Sequence, residues 1–481
     1  MAWMSVIGNN ATAPAPAEAP GAADIDALAF AQALGSRWPG GADPRVRALM
    51  PAFDAPFFQA GLAGYSDAAM RIVARRHGAP MCVTEALLDR MLLGGGHGFD
   101  KADLDLLLDA LPVGREDTPL VGQIIGSDPD EMAAGALKMV EQAARPDRAY
   151  RDLAYGDSGL PEYTNTKWKV ESGGVADADG AETNAACEDD CTPEALLVPE
   201  NYDPRLVFAG ATDAPRRTAA ATRPPTPHPD ALAFAAIDVN LACPVKKIDR
   251  KSRGGHWLRE PDGAIAILRA VRAALPPHIL CTAKLRRGYD DTPEMARNFE
   301  IIFNACAELG YAWTTVHART VEQKYVGPSR WTFLRDLVAR HPDKVTFGSG
   351  DIWNAGDIYR MIAFTGVAGV SVARGCIGNP WIFRQARAMQ GGEPPRAPSL
   401  AEQRAVLLEH FALSRAVNGE KASGKMMRKF GIKFGHHHPD PDAVKARMIA
   451  VNSLADWQSA VDDLYGGSAS KTADHNPCAA R

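Results

Sequence analysis

The sequence predicts an α/β protein: a (β/α)8 TIM barrel followed by a small C-terminal all-α domain. Three observations carry this. Between Phe57 and Met389, short apolar runs with strand character alternate with helical patterns, giving eight βα units. No Gly-x-Gly-x-x-Gly turn follows the first strand, which disfavours a doubly wound open sheet. Beyond a Pro-containing break at Pro395 to Ser399, helical periodicity resumes from Leu400 to about Tyr465 with no strand pattern.

In chain order, residues 1–50 read as a disordered or irregular lead-in, because the Ala/Pro-rich stretch near their start has no periodicity. The barrel occupies residues 51–392. Its expected strands are Phe57 to Leu62, Met81 to Glu85, Leu120 to Ile125, Ile237 to Leu241, Ile279 to Leu285, Thr314 to His317, Val345 to Gly348 and Gly369 to Ala373, all short, apolar and rich in β-branched residues. Helices fit between them at Asp67 to Arg76, Asp128 to Ala144, Asp262 to Leu275, Pro293 to Glu308, Trp331 to Arg340, Ala355 to Phe364 and Pro380 to Met389. Asp, Ser or Pro opens several of these, as helix N-termini prefer.

Residues 145–230 far exceed a normal αβ connection and read as an irregular acidic insertion. Its Cys187 and Cys191 have no second pair to answer them, so no metal site is expected. Residues 400–466 form the helical domain, with His436 to His438 read as loop, and residues 467–481 read as a flexible tail.

The net charge of −5 at 481 residues removes a whole-chain basic excess, so any contact with nucleic acid must be local. Eight scattered cysteines, mostly inside apolar runs, suit reduced thiols. No apolar stretch reaches the roughly 20 residues needed to span a bilayer. The expected location is cytoplasmic, with no membrane association.

In such a barrel the chemistry sits at the C-terminal strand ends. Gln123 lies in the third strand, Asn240 and Cys243 close the fourth, Lys284 and Arg286 the fifth, His317 and Arg319 the sixth. The last two strands run into Gly348-Ser349-Gly350-Asp351 and Ala373-Arg374-Gly375, where backbone N–H groups and Arg374 suit a phosphorylated cofactor. Gln123 offers amide hydrogen bonds to a polar ring system, and Lys284 and His317 offer positive charge to a ring that gains negative charge on reduction; that describes a flavin. Cys243 precedes Pro244 at a strand exit, which leaves its thiol facing the mouth.

Ordered motifs carry a resemblance. Ala60-Gly61-Leu62-Ala63-Gly64-Tyr65-Ser66-Asp67, Gln123-Ile-Ile-Gly126, Asp238-Val-Asn240-Leu-Ala-Cys243-Pro244, Lys284-Leu-Arg286, Val316-His317-Ala-Arg319, Gly350-Asp351-Ile352 and Ala373-Arg374-Gly375 follow one another as in the tRNA-dihydrouridine synthases. The chain resembles that family from about Phe57 to Tyr465 outside the insertion.

The resemblance implies FMN held by Gly61, Leu62, Gln123, Lys284, His317, Ser349, Gly350, Asp351, Ala373 and Arg374, with NADPH or NADH as reductant. It implies hydride transfer to C6 of a flipped uracil while Cys243 delivers a proton to C5. Asn240, Arg286, Arg319 and Lys246 would hold the substrate, and Lys425, Arg428 and Lys429 of the helical domain would contact tRNA. The expected partner is tRNA, the expected state a monomer, and no metal is expected. Departures from the family pattern gather at the rim: Gly61 and Leu62 for Pro and Met, Ala242 for Gly, Ser349 for Asn, and Arg253-Gly254-Gly255-His256-Trp257 for a small-residue run. Another FMN barrel oxidoreductase acting on a small molecule, or a non-catalytic RNA-binding paralogue, are the alternatives that stay open.

Overall fold

The computed structural model describes residues 21–93, 112, 115–143, 233–251 and 253–466. The 145–230 insertion, its two cysteines and the 467–481 tail lie outside them. The described residues form two units, 21–395 and 396–466.

In the first unit eight parallel strands close into a barrel in sequence order, each paired with its neighbours and β1 with β8. They are β1 (Phe57–Gln59), β2 (Cys82–Leu88), β3 (Leu120–Ile125), β4 (Ala236–Leu241), β5 (Leu280–Arg286), β6 (Trp313–His317), β7 (Thr346–Ser349) and β8 (Gly369–Val372). The barrel class is therefore that of the sequence reading. Two strands differ in extent. β1 stops at Gln59, and a register shift between Val83 and Ala86 carries β2 three residues further than expected.

Two helices precede the barrel, α1 (Ala27–Arg37) and α2 (Pro44–Leu49), so the irregular lead-in expected up to residue 50 is corrected for its described part. Asp26 and Asp43 cap them by accepting backbone N–H groups. The physical reason for order here is the barrel floor. Phe58, Val83, Val121, Ala236, Trp313 and Phe347 at the strand starts are covered by Ala42, Val46, Met50 and Phe53, and the Phe53 ring stacks 5.6 Å from that of Phe347.

Around the barrel run α3 (Ala68–Arg76), the short α4 (Asp89–Leu93), α5 (Pro129–Ala143), the short α6 (Lys246–Asp249), α7 (Pro261–Ala274), α8 (Pro293–Glu308), α9 (Trp331–Arg340), α10 (Ala355–Thr365) and α11 (Trp381–Gln390). The second unit holds α12 (Leu400–Phe434), α13 (Pro441–Ile449) and α14 (Leu454–Tyr465). Ser399 and Glu402 form a capping box that starts α12. Phe411 packs 4.2 Å from Trp457, tying α12 to α14. His436 and His437 lie in a 3-10 turn, Gly435–His437, rather than in loop. Among the described residues no helix is long and apolar enough to cross a membrane.

Candidate active site at the barrel mouth

Alternation along strands decides which side chains meet inside the barrel. Asp238 and Asn240 share one face of β4, Thr282 and Lys284 one face of β5, and the register sets Gln123 beside Asp238, Asp238 beside Thr282, and Asn240 beside Lys284. Gln123, Asp238, Thr282, Lys284 and Gly61 line one small cavity of about 10 Å³.

Thr282, Asp238, Gln123 and Asn240 form a continuous chain of hydrogen bonds. The Thr282 hydroxyl donates to Asp238 Oδ1 (2.6 Å) and Gln123 Nε2 donates to Asp238 Oδ2 (2.8 Å). Asn240 Nδ2 donates to Gln123 Oε1 (2.8 Å). Asn240 Oδ1 accepts the backbone N–H of Ala242 (3.0 Å) and of Cys243 (3.2 Å). An amide carries two N–H donors and an oxygen with two acceptor sites. Asn240 therefore keeps one N–H for a ligand, and Gln123 keeps one N–H and one acceptor site.

Cys243 is half-buried and packs beside Leu88, Ile125 and Ile248. Burial pushes its thiol up, outweighing the opposing pull of the Val245 backbone, Arg286 and Lys284, so it holds a proton at neutral pH. Two glycines brace it. Gly254 has φ +56°, and a Cβ there would lie 2.8 Å from Cys243 Cβ, while the Gly255 N–H donates to the Cys243 carbonyl at 3.0 Å. The unusual rim segment thus makes room for the thiol. Its Trp257 donates from Nε1 to the Gly126 carbonyl (3.2 Å).

The mouth also gathers cationic side chains. Burial lowers Lys284, with Arg286 adding to the effect, and burial first and Lys284 and three arginines next hold His317 well below the ordinary imidazole range. His317 is therefore neutral. Its Nδ1 accepts the backbone N–H of Arg319 (3.1 Å), which assigns the proton to Nε2.

Arg286 and Arg319, expected to hold substrate, also bind groups of the protein itself. Arg286 is buried and donates to the carbonyls of Ala242, Thr320 and Lys324. Arg319 Nη2 reaches both carboxylate oxygens of Asp351 at 2.7 Å, and its Nε donates to the Gly327 carbonyl. A guanidinium with five donors is well suited to gathering loop carbonyls; here Arg286 fastens the loops after β4 and β6, and Arg319 those after β6 and β7.

Asp351, expected at the cofactor, turns its carboxylate to Arg319, to the Ser329 N–H (2.7 Å) and towards Arg374 (3.6 Å). Ser349 and Ala373 stand where the last strands end. Gly350 is irreplaceable by sterics: φ is +115°, and a Cβ would lie 2.3 Å from Ser329 Oγ. Two buried donors beside this loop, Arg319 Nη1 and Ser329 Oγ, lack a protein partner. That pair fits an anionic group at the loop.

Leu62 lies in the turn after β1, where its N–H donates to Ser66 Oγ. The Lys246 and Lys425 side chains lie outside the described ones. Arg428 donates to the Ile449 carbonyl (2.7 Å), and Lys429 shares α12. Sequence reasoning assigned no role to Asp238, Thr282, Ser329, Trp353 or Tyr325. Spacing by two from Asn240 and Lys284 could have found the first two. Tyr325 and Trp353 could not have been found, because they meet through Arg374, whose guanidinium lies 5.0 Å from the Tyr325 ring and 4.7 Å from that of Trp353.

Fold and site together define a (β/α)8-barrel protein with an amide-lined, cationic mouth bearing one protonated thiol. The family described as "Dihydrouridine synthase (Dus)" matches residues 228–463. The "tRNA-dihydrouridine(16) synthase" of Aquipseudomonas alcaligenes is 32% identical over 264 residues, 52% of this chain and 79% of that protein. The "Probable tRNA-dihydrouridine synthase" of Treponema pallidum (strain Nichols) is 32% identical over 242 residues, 49% and 70%. That of Mycobacterium tuberculosis (strain ATCC 25618 / H37Rv) is 32% identical over 234 residues, 48% of this chain and 59% of its own length. The chain belongs to the dihydrouridine synthase family. It spans about three-fifths of the mycobacterial relative's length.

Proposed function

We propose that the protein is a tRNA-dihydrouridine synthase: an oxidoreductase that reduces the C5–C6 double bond of a uridine in tRNA, with FMN as cofactor and NADPH or NADH as reductant. One observation carries this reading: the backbone N–H of Cys243, whose buried thiol keeps its proton, is tied to Asn240 and through it to Gln123, two amides whose free valences match an imide edge.

The residues present fit FMN. The orphaned donors Arg319 Nη1 and Ser329 Oγ, with Gly350 and Arg374, would hold its phosphate, the two arginines offsetting Asp351. Gln123, Lys284 and His317 would face its ring, and Gly61 and Leu62 would border it. When bound, the flavin supplies hydride to C6 of the uracil.

Cys243 holds a proton at Sγ and delivers it to C5 as general acid. Its raised proton affinity suits this role and opposes nucleophilic attack by a thiolate. Asn240 offers its remaining N–H to a uracil carbonyl. Neutral His317 offers Nε2–H and Lys284 a positive charge, so negative charge on a reduced ring is stabilised. Lys246, Lys425, Arg428 and Lys429 are read as contacts to the tRNA backbone, and the cell compartment as the cytoplasm.

The test has two readouts. Purified protein should bind FMN with its flavin absorbance, and tRNA from a strain lacking the protein should lose dihydrouridine at a defined position. Unchanged tRNA with FMN bound would favour a small-molecule reductase. A protein that neither contains nor takes up FMN would sink both.

A further inference from the structure

We propose that Asp238 is a positioning residue: as an acceptor-only terminus it fixes the direction of the amides of Gln123 and Asn240, and through them the backbone turn that carries Cys243. Backbone N–H groups can only donate, so the N–H groups of Ala242 and Cys243 require that Asn240 present its oxygen to them. Asn240 Nδ2 must then face Gln123, which has to meet it with Oε1. Gln123 Nε2 is thereby turned to β4, where a donor would oppose it and only an acceptor satisfies it. Asp238 Oδ2 is that acceptor, while the Thr282 hydroxyl holds the other carboxylate oxygen.

The four side chains of Asn240, Gln123, Asp238 and Thr282 are buried, so an unmet donor among them costs its desolvation. Without an acceptor at position 238, Gln123 Nε2 is left to compete with the Cys243 turn for the oxygen of Asn240. The turn that holds the thiol then loses its lock. Asp238 does not touch Cys243; it acts on the turn through both amides.

Full-length protein tests this through alkylation of Cys243 by iodoacetamide, read at that residue by peptide mass spectrometry, and through FMN titration by fluorescence. Asp238→Leu, of similar volume, should raise the alkylation rate and the FMN dissociation constant each about tenfold. Asp238→Asn should keep both near wild type, because its oxygen can face Gln123 while its nitrogen donates to Thr282 Oγ1. Wild-type behaviour of Asp238→Leu would overturn the proposal. So would an Asp238→Asn that matches Asp238→Leu, since the charge rather than the acceptor would then be the cause.

Should Asp238→Leu fail to fold, Gln123→Glu sets two acceptors against each other and should raise alkylation. Combining it with Asp238→Asn restores a donor between them and should return the rate to wild type; a double variant as fast as Gln123→Glu alone overturns the proposal. The FMN arm rests on the flavin reading, whereas the alkylation arm does not. Wild-type protein that binds no FMN would remove that reading and leave the Asp238 comparison intact.

Discussion

Arg319 Nη2 lies 2.7 Å from both oxygens of Asp351, in an ion pair whose side chains are 3% and 9% exposed. The pair fastens the loop after β6 to the loop after β7. Removing one partner leaves the other charge buried and unpaired, which costs about 3–5 kcal/mol. Asp351→Ala should therefore lower stability by that order in urea unfolding, and it also puts a residue with a Cβ but no local side-chain acceptor at φ +57°. Asp351→Asn, which tolerates that backbone, should lose less.

Gly254→Ala forces a methyl to within 2.8 Å of Cys243 Cβ at a backbone angle that disfavours it. The expected outcome is normal FMN uptake with dihydrouridine formation reduced by at least about tenfold, roughly 1.4 kcal/mol in barrier. Cys243→Ala should abolish tRNA modification while leaving flavin reduction by NADPH intact. Stopped-flow reduction and tRNA nucleoside analysis separate the two steps, and normal tRNA modification by Cys243→Ala would refute the proton-donor assignment.

Phe53 is fully buried under the barrel floor, between Phe58 and Phe347. Truncation to alanine removes its ring contacts and leaves a cavity, a change that costs about 3–5 kcal/mol in well-packed cores. Phe53→Ala should shift the urea midpoint accordingly, although Phe53 is far from the mouth. An unchanged midpoint would mean that the floor has no need of its cover.

His410 is buried in the second unit, 4.3 Å from the Phe430 ring, with neither ring nitrogen hydrogen-bonded. Burial pushes it down from the ordinary 6.5 to about 3. Its folded-state affinity for a proton is below that of the unfolded chain, so its contribution is present above pH 6.5 and is lost as pH falls towards 3. Stability of this unit should drop by on the order of 1.4 kcal/mol per pH unit across that window. Hydrogen exchange of α12 peptides between pH 7 and pH 5, corrected for intrinsic rates, should reveal the loss, and His410→Leu should flatten it.

The barrel was legible because its signals are local and repeated. Each β-branched run followed by a 3.6-residue periodicity specifies a strand and a helix wherever they fall, and eight such units close in sequence order. The short helix α2 was not legible. Six residues carry too little periodicity, and what orders them is the apolar floor formed by strand starts as near as Phe58 and as far along the chain as Phe347.

By itself, then, the sequence determined the barrel, the placing of Gln123 in the third strand and of Asn240, Cys243, Lys284 and His317 at or just past strand ends, and the resemblance that the family comparison upheld. Only the tertiary structure decided how those groups are used. Arg286 and Arg319 look like free cations in a linear chain, yet they fasten loops, because the carbonyls and carboxylate that claim them come from other strands. Asp238 looks like one strand residue among several, yet register sets it between Gln123 and Thr282. Hydrogen-bond direction depends on which donors and acceptors meet, and that meeting is a property of the closed sheet rather than of any segment.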